Sequence, residues 1–270
     1  MPIITFADTL ACLDVETIGE GLHRAPHIPM AYRRVFGGQL LAQCLAIASR
    51  SAPGKQVKSL HASFPREGDL GLPIDYRVTR IHDGRSFAGR WIVGEQAGRA
   101  IVTASVSLHV LEPGPEHAAA MPDVASPEAS PASDLGMIPW ETRIVGGVDL
   151  AARDVGPARF AFWMRTPPLG DEPVVHQALL AHATDLTLIG TALRPHAGLG
   201  ESDSTTRIQT AVTTHTLWLH APFRIDDWLL VQQESPRMAG ARAFGLGHVF
   251  TRAGLLVASF AQESLIRPLD

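Results

Sequence analysis

Two side chains in this sequence stand where their types could do chemistry: a carboxylate in an apolar helical stretch and an amide in an apolar strand row. In Ala181-His182-Ala183-Thr184-Asp185-Leu186-Thr187-Leu188-Ile189, Asp185 lies one helical turn from Ala181 and His182 and from Leu188 and Ile189. Its carboxylate therefore projects from a largely apolar face. Burial there disfavours ionisation unless hydrogen bonds or a positive partner compensate. Such a group either ends the helix together with Thr184 or serves as a general base. From Ala258 to Ile266, strand alternation sets Gln262 in one row with Ala258, Phe260 and Ile266. A buried amide needs partners, so it either bonds core backbone or holds a water or a carbonyl oxygen. Gly37-Gly38 precedes an apolar helical segment. The pair is either a tight helix entry or a place where backbone N–H groups at a positive helix end meet a carbonyl or phosphate.

The elements that must carry these groups form a repeated pattern. Gly38 to Ser49 places Leu40, Leu41, Cys44, Leu45 and Ala48 on one helical stripe, with Ala42 and Ala46 small enough for a close neighbour. Strands are expected near 58–64, 73–81, 86–94 and 100–110, with Asp83-Gly84 as a hairpin turn. In the second half, Asp171 and Glu172 before Pro173 open a helix running to about Leu186. Strands are expected there near 207–220, 227–235, 241–251 and 255–267. Arg85-Ser86-Phe87 is echoed by Arg242-Ala243-Phe244, Ala97-Gly98 by Ala253-Gly254, and Ala104-Ser105 by Ala258-Ser259, at offsets of 157, 156 and 154. An internal duplication follows: two helix-plus-antiparallel-sheet units, residues 1–111 and 138–270, joined by a Pro/Ala/Ser-rich linker over 112–137.

Composition removes several function classes. The 270 residues carry 27 acidic and 23 basic side chains, a net charge of −4, which offers no basic field to a nucleic-acid backbone. Arginine supplies 21 of the basic residues and lysine only Lys55 and Lys58. Cys12 and Cys44 are too few for a disulfide framework or a four-thiolate zinc site, and they suit a reducing compartment. No apolar run approaches the roughly 20 residues of a membrane helix, and the start MPIITFADTLACLD lacks a basic segment before an apolar one. The expectation is a cytoplasmic protein that spans no membrane. Gly84-Arg85-Ser86-Phe87-Ala88 ends wrongly for a nucleophile elbow, and neither a His-Glu-x-x-His zinc motif nor a phosphate loop is present.

Phe36-Gly37-Gly38-Gln39, Leu60-His61-Ala62-Ser63-Phe64 with Arg66 and Asp69, Asp83-Gly84-Arg85-Ser86-Phe87 with Arg90, His176-Gln177, Thr184-Asp185-Leu186, His215-Thr216-Leu217-Trp218-Leu219-His220, Trp228-Leu229-Leu230 and Gln262-Glu263 occur in one order along the chain. In these motifs the sequence resembles the type II acyl-CoA thioesterases over nearly its whole length outside the linker. The resemblance implies an α+β double hotdog, two curved antiparallel sheets each wrapped around its helix. It also implies hydrolysis of fatty acyl-CoA to free acid and CoA without metal or redox cofactor.

Carried over residue by residue, the resemblance makes Asp185 the activator of the hydrolytic water and Gln262 its amide partner. Gly37, Gly38, Gln39 and Trp218 are then expected at the substrate, with Trp163 a wall or core residue. His61 and His215 occupy matching places in the two halves and read as structural. The chain departs from the family at Val212, where a Ser or Thr is expected three residues before His215. Alternation puts Thr210, Thr214 and Thr216 on the face of Val212, which makes Thr214 the candidate substitute unless a bulge turns another hydroxyl inward. A non-hydrolytic acyl-CoA-binding or regulatory protein on the same fold stays open as the alternative. A hotdog hydratase would pair its Asp with a His five residues on, where this chain has Gly190. Sheet edges able to pair also lead to an expected homo-oligomer.

Overall fold

The computed structural model describes residues 4–30, 33–204 and 206–269. After a short helix α1 (Phe6–Ala11), the first half runs β1 (Glu16–Gly19), β2 (Leu22–Ala25), α2 (Gly37–Arg50), β3 (Gln56–Ser63), β4 (Ile74–Asp83), β5 (Phe87–Gln96) and β6 (Arg99–His109). The second runs β7 (Glu141–Ile144), β8 (Arg159–Arg165), α3 (Pro173–Thr184), α4 (Leu188–Leu193), β9 (Ile208–Leu219), β10 (Leu229–Ala239), β11 (Arg242–Thr251) and β12 (Leu256–Pro268). The eight longer strands fall where alternation and turn residues place them. The four short ones, β1, β2, β7 and β8, go unannounced because four to seven residues give alternation too little room.

The strand order is β1-β2-β4-β5-β6-β3-β9-β12-β11-β10-β8-β7. Reducing each second-half strand number by six makes the order read the same from both ends, which is what a duplication folded about a two-fold axis produces. The two curved sheets of the expected double hotdog are joined into one sheet of twelve strands. β3 and β9 lie antiparallel from Ser59↔Trp218 to Ser63↔Thr214, so the inner edges of both halves satisfy each other's backbone groups. With α2 and α3 enclosed by their own halves, the architecture is the double hotdog.

The two helices are core elements on nearly every side. α2 is buried continuously from Gly38 to Ala48 and α3 from His176 to Thr184. Buried polar groups on them are satisfied locally. Gln43 donates to the Cys12 and Pro26 carbonyls and accepts from the Tyr76 hydroxyl. Arg90, 2% exposed, holds the C-terminal end of α2 by donating to Ser51 Oγ and to the Ser51 carbonyl, and it also reaches Asp83. Within 112–137 the helical content is a single 3-10 turn, Pro127–Ala129. The segment lies against the second half: Trp163 Nε1 donates to the Ala125 carbonyl and Ile144 N to that of Pro131. Among the described residues no helix is long and apolar enough to cross a membrane.

Candidate active site

The C-terminal end of α3 buries three polar side chains, His182, Thr184 and Asp185, and burying a polar group is costly unless it is hydrogen-bonded. His182 bonds the Met137 carbonyl through Nε2, at 2.7 Å. Thr184 Oγ1 lies 3.1 Å from both the Ala181 carbonyl oxygen and His215 Nε2. Asp185 takes the C-cap position in helical conformation, 3% exposed. A negative charge at that end is opposed by the dipole of its own helix, but the N-terminus of α2 faces it. The Gly38 backbone N–H hydrogen-bonds the carboxylate.

Two glycines make this meeting possible. A Cβ on Gly37 would stand 2.7 Å from Asp185 Oδ2, and one on Gly38 would run into the His182 carbonyl oxygen and the Phe36 ring. Burial raises the Asp185 pKa to about 7; the Gly38 hydrogen bond and the positive charge of Arg34 act in the opposite sense. Asp185 Oδ1 is buried and has no hydrogen-bond partner. It lies 3.9 Å from His215 Nδ1, beyond hydrogen-bond reach.

His215 stands between the carboxylate and the amide and, of the two, hydrogen-bonds only the amide. It is fully buried, and burial lowers its pKa to about 4, so the ring is neutral and carries one proton. Its Nδ1 lies 3.0 Å from Gln262 Oε1, and Gln262 Nε2 donates at 3.0 Å to Ser264 Oγ. Gln262 itself is 2% exposed, in a buried row with Ala258, Phe260, Ser264 and Ile266. Asp185 opens onto a cavity of about 580 Å³, walled by Leu40, Phe64, Leu186 and Ile189 and flanked by Arg34 and Arg66. No group of three His, Cys, Asp or Glu side chains is arranged for a metal among the described residues.

A family model described as acyl-CoA thioesterase matches residues 152–265, and another, the acyl-CoA thioesterase N-terminal domain, matches 25–109. Acyl-coenzyme A thioesterase 8 of Mus musculus is 31% identical over 285 aligned positions, covering 94% of this chain and 87% of that protein. The chain belongs to the acyl-CoA thioesterase family. Acyl-CoA thioesterase 2 of Haemophilus influenzae is also 31% identical, over 94% of this chain and 95% of its own. The crystal structure of acyl-CoA thioesterase II TesB2 from Mycobacterium marinum aligns with a TM-score of 0.84 at 35% identity, covering 97% of this chain and 99% of that one. This acyl-CoA thioesterase is thus a thioester hydrolase, cleaving acyl-CoA to an acid and free CoA.

Several of the thioesterase's expected substrate contacts stand elsewhere. Gln39 is fully buried, and its amide is spent on the backbone, accepting from Ile28 N and donating to the Pro26 carbonyl. Trp218 is 39% exposed on the outer sheet face, edge-on to His61 at 5.5 Å, and does not line the cavity. His61 is exposed beside Thr216 while His215 is buried, so the matching wording of the two halves is not matching placement. Trp163 packs in a separate cluster with Trp228, Leu230 and Phe250. Gly37 lines the cavity, whereas Gly38 is turned to the backbone of α3.

The hydroxyl register also changes. Glu263 pairs with Thr214 but Ser264 pairs with Val212, so Thr213 is the extra residue of a β-bulge. Even-numbered residues face inward before the bulge (Ile208, Thr210) and odd-numbered ones after it (His215, Leu217). Simple alternation therefore misplaced Thr214, which is exposed on the outer face. Thr213 is turned to the cavity side, yet its hydroxyl donates to the Glu263 carbonyl at 2.9 Å. Val212 lines the cavity opposite Ser264. Arg34 and Met137 carried no sequence signal for this site. Ser264 did: counting two residues on from Gln262 places it on the same face.

Proposed function

We propose that Asp185 is the general base and Gln262 the amide partner in hydrolysis of a fatty acyl-CoA thioester. The observation that carries this reading is the buried, unpartnered Asp185 Oδ1 on the wall of a cavity that Leu40, Phe64, Leu186 and Ile189 make apolar in part. A water donating to Oδ1 and held by the Gln262 amide attacks the thioester carbonyl carbon, passing its proton to Asp185. The C–S bond then breaks, and that proton goes to the departing CoA sulfur, leaving the free acid. The carbonyl oxygen rests against the first turn of α2, whose leading backbone N–H groups have no intrahelical acceptor. The apolar wall suits a fatty acyl chain, and the guanidinium of Arg66 suits the CoA phosphates.

Initial rates with a free-thiol reagent, across hexanoyl- to palmitoyl-CoA, test this reading. Asp185→Asn keeps the shape and removes the base, so kcat should fall by about 10² or more in a folded protein. Gln262→Ala should also be slow. A folded Asp185→Asn variant with unchanged kcat would discard the assignment.

The same reading treats residues 1–111 and 138–270 as two units joined by 112–137, and the protein as a cytoplasmic homo-oligomer. The location is supported by two buried free thiols, Cys12 and Cys44. Assembly is supported by the outer sheet face, where Trp91 and Trp218 are 42% and 39% exposed. The outermost strands β1 and β7 are only four residues long and offer little to an edge-to-edge partner.

A further inference from the structure

We propose that Ser264 is a positioning residue for Gln262, supplying from β12 the hydroxyl that Val212 withholds from β9. This deepens the reading of Gln262 as the amide at the hydrolytic water and rests on it.

Ser264 is 3% exposed in a row whose other members, apart from Gln262, are apolar. Its ladder neighbours are Val212 on β9 and Ala243 on β11, neither of which offers a side-chain hydrogen bond. A hydroxyl in such a place costs stability unless it is bonded, and the bond it makes is to Gln262 Nε2 at 3.0 Å. The other end of that amide lies 3.0 Å from His215 Nδ1. Gln262 is thus gripped at both ends, by the ring and by the hydroxyl, which fixes the plane in which its remaining N–H points. The assignment survives an exchange of the amide oxygen and nitrogen, since a hydroxyl donates to Oε1 as readily as it accepts from Nε2.

The bulge explains why position 264 can take this part. Without the extra Thr213, strand β9 would present a different residue opposite Ser264. With it, position 212 and position 264 face each other directly across the ladder on the inner face. Either strand can bring a hydroxyl to that spot, and in this chain β12 does.

The test measures kcat and KM for one acyl-CoA from the series above, in single and paired variants. Ser264→Ala should lower kcat about tenfold, the worth of one positioned hydrogen bond, and leave KM within about threefold. Val212→Thr in the Ser264→Ala background should recover most of the loss. In a Gln262→Ala background Ser264→Ala should change kcat less than twofold, because the group it positions is gone. Ser264→Cys, nearly isosteric but a weaker hydrogen-bonding group, should fall between wild type and Ser264→Ala, and it serves if the alanine variant does not fold. The proposal is overturned if a folded Ser264 variant keeps its kcat while Gln262→Ala loses activity, or if the two losses simply add. If Gln262→Ala itself retains full kcat, the reading of Gln262 at the water fails, and this proposal fails with it.

Discussion

Asp185 carries the residue-scale consequence of being buried with its charge only partly compensated. Its pKa of about 7 stands well above the ordinary carboxylate value of about 3.9. As a base it acts only when ionised, so kcat/KM should climb with pH up to about 7 and level off above it, and Asp185→Asn should lose that limb. The same shift affects folding. Between about pH 4 and 7 the native carboxyl holds a proton that the unfolded chain has released, so its contribution to stability is complete below about pH 4 and is lost as the pH rises through 7. An asparagine side chain at this position mimics the protonated form. The variant Asp185→Asn should therefore be more stable than wild type at pH 8, by about 1 to 4 kcal/mol, and nearly equal to it at pH 4. Thermal melts at the two pH values check this, and a variant less stable at pH 8 would show that the carboxylate is better solvated than its burial indicates.

At the scale of elements, the site exists because the N-terminus of α2 and the C-terminus of α3 can touch, and the two glycines at that contact do different jobs. Gly37 faces the Asp185 carboxylate, so Gly37→Ala pushes the proposed base aside on the open, cavity side. A displacement of this size should cost about 10² in kcat with little change in melting temperature. Gly38 faces the backbone of α3 at His182, which cannot swing away as a side chain can. Gly38→Ala must separate the helices, and a loss of roughly 1 to 3 kcal/mol in denaturant unfolding is expected. Equal effects of both substitutions on stability would mean that the α2 terminus yields as a unit and that Gly37 has no separate role at the carboxylate.

For the whole molecule, the question is what covers the outer face of a twelve-stranded sheet. Fusion through β3 and β9 has used the long inner edges, which leaves the outer face, where Trp91 and Trp218 are exposed, as the surface proposed for assembly. Light scattering at micromolar concentration should report an oligomer. Trp218→Lys should shift it toward monomer while leaving the interior of each half intact. A monomeric wild type would remove the assembly proposal without touching the site, because Asp185, His215, Gln262 and Ser264 all lie on the inner side.

The long strands, the two helices, the duplication and the special standing of Asp185 and Gln262 were set by local pattern: apolar period, turn residues, and polar groups in rows where they are costly. The resemblance then attached chemistry to those two residues. Neither source reached the single twelve-stranded sheet, because pairing of β3 with β9 joins segments more than 150 residues apart. Nor did they reach the facing of Thr214, because one extra residue at Thr213 reverses every side chain after it on β9, and nothing in the residue types around it marks the place. Gln39 and Trp218 were misjudged for a related reason: a motif fixes where a residue stands in the chain, while burial and hydrogen-bond partners are decided by what packs against it. Sequence periodicity determined which groups are polar in an apolar row. Which of them meet, and at what distance, was decided only when the ends of α2 and α3 and the bulged strand β9 came together in three dimensions.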